Sequence, residues 1–200
     1  MNPSPSYLSE PDVQLMLEFQ AGRKDSFETL LRKYYPRLLN FIYRFVGNRE
    51  AAEDLTQEVF IKVYQGASGY QPHAQFKTWL YTIARNISLN ALRKNKNSGF
   101  SLDEDIDCEG DSLKRQLPDT RNLNPKEELV QKETARVVQE AIQALPENQR
   151  LAVILRRYEE FSYEEIAKTM NVSVEAVKSI LNRAKENLKK SLAGYCSHGY

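Results

Sequence analysis

Lys178, Ser179, Asn182, Arg183 and Lys185 stand at i, i+1, i+4, i+5 and i+7, a spacing that gathers them into adjacent rows on one side of an α-helix. An amide and a hydroxyl can read base edges, while ammonium and guanidinium groups hold phosphates or grip a guanine in two places. The chemistry of such a face is recognition of duplex nucleic acid, with no bond made or broken. From Asn171 to Lys190 five bases stand against two acids, so the local field is positive. A solvated face of a helical bundle carries similar side chains, and the surrounding elements must decide between the two.

A second set lies upstream. Phe76 to Lys96 holds Lys77, Arg85, Arg93, Lys94 and Lys96 and not one acid, with Trp79 and Tyr81 near its start and Asn86 and Asn90 farther along. Cations interleaved with flat side chains suit a single strand, whose phosphates need a cationic track and whose unpaired bases need surfaces to stack on. Trp79 fits either such a platform or the interior of its own domain. The charge reverses in a third set, where Asp54, Gln57, Glu58 and Ile61 stand at i, i+3, i+4 and i+7. A stripe of this kind repels phosphate, so it faces either a basic protein surface or water.

The elements that must position these sets are helices. Ser162-Tyr163-Glu164-Glu165 reads as a capping box opening a short helix with Ile166, Ala167 and Met170 inward. Asn171 follows as a residue that tolerates left-handed backbone where glycine is commonest. Ser173 then caps a longer helix with Val174, Val177, Ile180, Leu181, Ala184 and Leu188 inward. Ala167 is small where two helices must approach, Asn171 turns the chain, and Val177 locks the second helix on the first. That is a helix-turn-helix, whose second helix enters the major groove, and in this register the DNA reading outweighs the solvated-face one.

Apolar residues recur at helical spacing elsewhere and no stretch alternates as a strand does, so the fold is expected to be all-α. Ser9 as N-cap, Pro11 in the first turn and Gly22 as a stop frame a helix with Leu15, Leu17 and Phe19. Phe27, Leu31, Tyr34, Leu38, Ile42 and Phe45 mark a second, ending at Gly47 and bent or split by Pro36. Ala52, Leu55, Val59, Phe60 and Val63 mark a third, ending at Gly66; after the loop Gly66 to Gln75 comes the basic helix. Between Ser101 and Asp111 stand Asp103, Glu104, Asp105, Asp107, Glu109 and Asp111 with no base, a composition with too little apolar surface to offset chain entropy. Asn124, Pro125 and Glu127 then start a new helix, and Pro146 another. The expected organisation is two small helical domains, 9–96 and 125–190, joined by a flexible acidic linker, 97–124, with a tail at 191–200. The second is a four-helix domain containing the helix-turn-helix. The 28 linker residues extend to roughly 95 Å at ~3.3 to 3.6 Å each.

The 200 residues carry 28 bases and 27 acids, a near-neutral total that by itself argues against a nucleic-acid partner. By segment, that neutrality is a cancellation between basic helices and an acidic stripe and linker. No run of eighteen apolar residues and no leader pattern occurs, so no membrane insertion is expected and the protein should be cytoplasmic. Cys108 and Cys196 build no disulfide framework and suit a reducing compartment. Cys196 and His198 are too few to hold a metal, and His73 has no spaced partner. Neither an enzyme, a cofactor nor a small-molecule substrate is expected.

Four motifs in order resemble the extracytoplasmic-function (ECF) sigma factors of bacterial RNA polymerase, in the sigma-70 family. They are Glu53-Asp54-Leu55-Thr56-Gln57-Glu58-Val59-Phe60, Phe76-Lys77-Thr78-Trp79-Leu80-Tyr81-Thr82-Ile83-Ala84-Arg85-Asn86, Leu145-Pro146, and Ser162-Tyr163-Glu164-Glu165-Ile166-Ala167. The resemblance implies an alternative sigma factor that binds core polymerase, through its β′ clamp helices and β flap, and directs it to promoter DNA. It implies that Asp54, Gln57 and Glu58 dock on the clamp helices. Lys77, Trp79, Arg85, Asn86, Arg93 and Lys94 would face the −10 strand and help to melt it, and the loop Gly66 to Gln75 corresponds to a pocket for a flipped-out base. Lys178, Ser179, Asn182, Arg183 and Lys185 would read the −35 element, and an anti-sigma factor would be a regulatory partner. The alternative is a helix-turn-helix regulator with a ligand-sensing first domain, binding a palindromic duplex as a dimer without polymerase. It leaves the basic aromatic helix unexplained.

Overall fold

A computed structural model of the chain describes residues 5–97 and 125–197; the acidic linker lies outside them. The described residues form α1 (Pro5–Leu8), α2 (Pro11–Gln20), α3 (Lys24–Val46), α4 (Arg49–Gly66), a 3-10 turn (Ala67–Gly69), α5 (Phe76–Asn97), α6 (Pro125–Gln143), α7 (Glu147–Arg157), α8 (Tyr163–Met170) and α9 (Val174–Ser197). Among them there is no strand, and four helices follow the linker, as expected.

Local chemistry accounts for most boundaries. Gly47, at φ 86°, ends α3 in a left-handed turn whose N–H donates to the Tyr43 carbonyl. The Asn48 side chain then accepts from the Ala51 N–H at 2.8 Å and starts α4. Three expectations need correcting. Pro36 does not split α3, which runs unbroken from Lys24 to Val46; Leu30, Tyr34, Leu38, Phe41, Ile42 and Phe45 are buried on both sides of it, and that packing outweighs one lost backbone hydrogen bond. Ser9 does not cap α2. Glu10 holds the cap position without a side-chain cap bond, and its carboxylate instead accepts from the Phe76 N–H at 3.2 Å, capping α5 from across the domain. Finally, α9 runs on past Lys190 to Ser197, so part of the expected tail is helix.

The first core packs α2 to α5 around Val13, Met16, Leu38, Ile42, Val59 and Leu80, all fully buried; each such side chain contributes roughly 1.5 to 3 kcal/mol. The second packs α6 to α9 around Leu151, Ile154, Leu155, Ile166 and Val177. One buried polar cluster ties α2 to α3. Asp12 accepts from Lys33 Nζ at 2.6 and 2.7 Å and from the Tyr34 hydroxyl at 2.6 Å. Burial, then that carboxylate, push the Tyr34 hydroxyl far above its usual range, so it stays a donor. Asp12→Ala strands both donors, and because Lys33 is half exposed it is expected to cost about 2 to 3 kcal/mol in denaturant unfolding. A loss below about 0.5 kcal/mol would show that the cluster is decorative.

Candidate nucleic-acid interface

The helix-turn-helix is built by side chains that satisfy helix ends. Ser162 Oγ accepts from the Glu165 N–H at 3.2 Å, and the Ser162 N–H donates to Glu165 Oε2 at 2.7 Å, the reciprocal arrangement of a capping box. Asn171 sits at φ 54°, and the Val172 N–H returns to the Ala167 carbonyl at 3.0 Å. Ser173 Oγ accepts from the Ala176 N–H at 3.1 Å and starts α9. Ala167 and Val177 are buried where α8 meets α9. Lys178, Ser179, Asn182, Arg183 and Lys185 are all exposed, a continuous outward face with no apolar side chain in it.

Helix α5 has three faces. Phe76, Leu80, Ile83 and Ile87 turn into the first core. Trp79, Thr82, Asn86, Asn90 and Arg93, at i, i+3, i+7, i+11 and i+14, share a second face; Asn86, Asn90 and Arg93 are exposed and Trp79 is half-buried. The interior reading of Trp79 holds in part, since its ring lies 4.8 Å from Tyr70 and 5.9 Å from Phe76 and the residue is half-buried. Arg85 Nη1 donates to Asn86 Oδ1 at 3.2 Å, and its Nε is buried with no partner among the described residues. Burial, then the charge of Arg93, lower its pKa. Lys94 is exposed near the helix end. Lys77 lies elsewhere: it shares the third face with Tyr81, Ala84 and Ser88, and its Nζ meets Glu165 Oε1 at 2.7 Å. The loop before α5 is held by Gln20 Nε2, which donates to the Ser68 and Tyr70 carbonyls at 3.0 and 3.4 Å.

On α4, Asp54, Gln57 and Glu58 are exposed together, whereas Glu53 is paired with Arg49 at 2.8 Å. The acidic stripe continues into an apolar patch, because Ile61 is 54% and Tyr64 52% exposed. Tyr64 packs against Phe19 and Phe27 with ring centroids 5.2 and 5.4 Å away. The helical spacing pointed to Ile61; the aromatic cluster joins residues from three helices and had no local signal.

The two domains also touch. The Tyr81 hydroxyl donates to the Glu159 carboxylate, and Gln143 Nε2 and Arg150 Nη1 donate to the Arg44 and Phe45 carbonyls at the end of α3, at 2.5 and 2.8 Å.

Two family models match the chain: sigma-70 region 2 over residues 30–98 and sigma-70 region 4 over residues 135–188. RNA polymerase sigma-H factor of Pseudomonas aeruginosa is 35% identical over 92% of this chain and 94% of its own length. The chain belongs to the sigma-70 family, as an ECF sigma factor. The ECF factor SigW of Bacillus subtilis is 31% identical over 88% of this chain and 93% of that one. Two solved structures share the fold. CnrH, in complex with the cytosolic domain of CnrY, superposes with TM-score 0.67 at 20% identity over 92% of this chain and 97% of that one. RpoE of Bartonella quintana, in complex with the anti-sigma factor NepR, superposes with TM-score 0.63 at 24% identity over 84% and 96%.

This ECF sigma factor is therefore an alternative sigma factor for promoter-specific transcription initiation, with RNA polymerase core and promoter DNA as its partners. Region 2 comprises much of α3 with α4 and α5, and region 4 the latter part of α6 with α7, α8 and most of α9. Sigma factors are initiation factors and the polymerase is the catalyst. Among the described residues no helix is long and apolar enough to cross a membrane.

Proposed function

We propose that three surfaces divide the work of initiation. The exposed face of α4, with Asp54, Gln57 and Glu58 beside Ile61 and Tyr64, docks on the clamp helices of the β′ subunit. Carboxylates steer a basic partner and the apolar side chains supply the area that holds it. Region 4 rests on the β flap, and α9 enters the major groove of the −35 element with Lys178, Ser179, Asn182, Arg183 and Lys185. The open face of α5 takes the −10 strand. Trp79 offers a stacking edge, Asn86 and Asn90 offer amides, Arg85 supports Asn86, and Arg93 with Lys94 continues a cationic track. Stacking at ~1 to 3 kcal/mol per base offsets the loss of pairing as the duplex opens.

The observation that carries this reading is the face of α5 on which Asn86, Asn90 and Arg93 are exposed while the same helix buries its other sides. No covalent step is assigned to the chain, and the polymerase it serves sets its place in the cytoplasm. An anti-sigma factor is a fitting regulator, because the RpoE relative is held by one in its solved structure.

Run-off transcription with purified core polymerase, on genomic fragments, tests the reading. The chain is expected to create start sites that core polymerase alone does not use. Asn86→Ala with Arg93→Ala is expected to cut open-complex formation at least about tenfold while core binding and the −35 contact persist. Equal rates on a template already unpaired at −10 would place the defect in melting; a defect of the same size there would place it in strand capture. Undiminished transcription on both templates would remove α5 from the proposal.

A further inference from the structure

A cavity of about 650 Å³ lies between α5 and the corner where α6 gives way to α7, within the roughly 300 to 1,000 Å³ of small-molecule sites. Arg85 and Arg93 line it from α5, together with Leu89 and Leu92. Pro146 and Asn148 line it from the start of α7.

The cavity is short of acceptors. Arg85 Nε and Arg150 Nε are both buried with no hydrogen-bond partner among the described residues, and both side chains belong to this one lining. The Nη atoms of Arg150 are engaged by the Phe45, Gln143 and Leu145 carbonyls and the Gln143 amide oxygen, so its Nε alone is left over. Buried donors are normally paired, and a charged one left unpaired is costly. Burial, then the charge of Arg93, lower the Arg85 pKa; burial lowers that of Arg150, with Glu147 acting the other way. Glu147 is the one carboxylate in the lining, against three guanidinium groups. Helix α7 adds to the deficit, because Pro146 at its cap position supplies no side-chain acceptor to the first N–H groups.

Two features narrow the ligand. Arg85 and Arg93 are eight residues apart, about 12 Å along the helix axis, so cationic charge is spread along the cavity and a chain of phosphates matches it better than a single one. Leu89, Leu92 and Pro146 give a flat uncharged ring an apolar surface, and the Asn148 amide can both donate to and accept from its edge.

We propose that this cavity binds a nucleoside polyphosphate, its phosphates on Arg85, Arg93 and the Nε of Arg150 and its base against Leu89, Leu92 and Pro146 beside Asn148. The ligand neutralises two cations that the reading above gives to the −10 strand. The site itself does not depend on that reading, because binding is measured on the free chain.

ATP is the probe, titrated into the full chain and followed through the arginine Nε–H signals in nitrogen-15 NMR. Saturable binding is expected, with the Arg85 and Arg150 signals shifting together. Adenosine and inorganic phosphate, each carrying half of the chemistry, are expected to bind at least about tenfold more weakly. Asn148→Glu sets a second carboxylate in the lining, and ATP affinity should fall at least about tenfold. An acid in the first turn suits a helix N-terminus, so this variant should unfold at the wild-type temperature. Arg85→Gln removes one cation and should lose affinity by a similar factor, which keeps the proposal open to refutation should Asn148→Glu fail to fold. Binding that does not saturate, arginine signals that do not move, or an affinity unchanged in both variants overturns the proposal. Inorganic triphosphate bound as tightly as ATP overturns the nucleoside assignment.

Discussion

Asp54→Lys combined with Glu58→Lys is expected to abolish core-polymerase association without altering thermal unfolding. Both side chains are exposed on the outer face of α4, and the packing residues of that helix, Ala52, Val59, Phe60 and Val63, lie on its inner side. The reversal therefore touches no core contact. Against a basic partner, two attractive pairs become two repulsive ones, and like charges brought together cost several kcal/mol, so affinity should fall by at least about a hundredfold. Ile61→Ser acts differently. It removes a half-exposed apolar side chain from the middle of the face, so its effect should appear as dissociation about tenfold faster, with association unchanged. Rapid-mixing kinetics separate the two: charge variants should change the association rate and its salt dependence, and the Ile61 variant the dissociation rate. A normal association rate for the double reversal would move the docking surface away from α4.

Arg183→Ala is expected to cut transcription from promoters that depend on the upstream element by about ten- to a hundredfold, in line with ~1 to 3 kcal/mol for a two-pronged arginine contact to a base. Arg183 stands on the exposed face of α9, one helical turn beyond Ser179, while Val177 and Ala184 anchor the opposite side in the core. The domain should stay folded and core binding should persist. Lys178→Ala should instead weaken binding to all duplexes alike and lower the salt dependence by about one counterion, the mark of a phosphate contact. Footprints on duplexes with single changes in the upstream element distinguish the two. If Arg183→Ala weakens every duplex equally, it is a phosphate contact and another residue reads the base.

Much of this was legible in the sequence because it depends on neighbours a few residues apart. Ser162 and Glu165 form a capping box by the chemistry of i and i+3, and Asn171 turns left-handed because its side chain tolerates that backbone; both appear where the pattern put them. The all-helical fold follows from apolar periodicity for the same reason. Contacts between distant residues were not legible. Tyr81 and Glu159 are 78 residues apart, and a lysine and a tyrosine on a basic helix read as a nucleic-acid face until a second domain is laid against them. Charge and the family resemblance place Lys77 with Asn86 and Arg93, while its position on the helical wheel lies closer to Tyr81. Glu10 is a similar case, since a cap supplied from 66 residues away has no signature in either segment. At Pro36 the local rule was sound, but the buried residues on both sides of it outweighed the rule.

Glu165 divides its two oxygens between different tasks. Oε2 holds the Ser162 N–H at the start of α8, and Oε1 holds Lys77 of the other domain. Were the two domains to part, only the second oxygen would return to water and α8 would keep its cap. The same economy makes the position intolerant of change. Aspartate is too short to span both partners, and glutamine keeps the cap acceptor but loses the charge that Lys77 requires. A single side chain thus ties the heritable fate of the recognition module to that of the domain contact, and drift at one cannot proceed without altering the other.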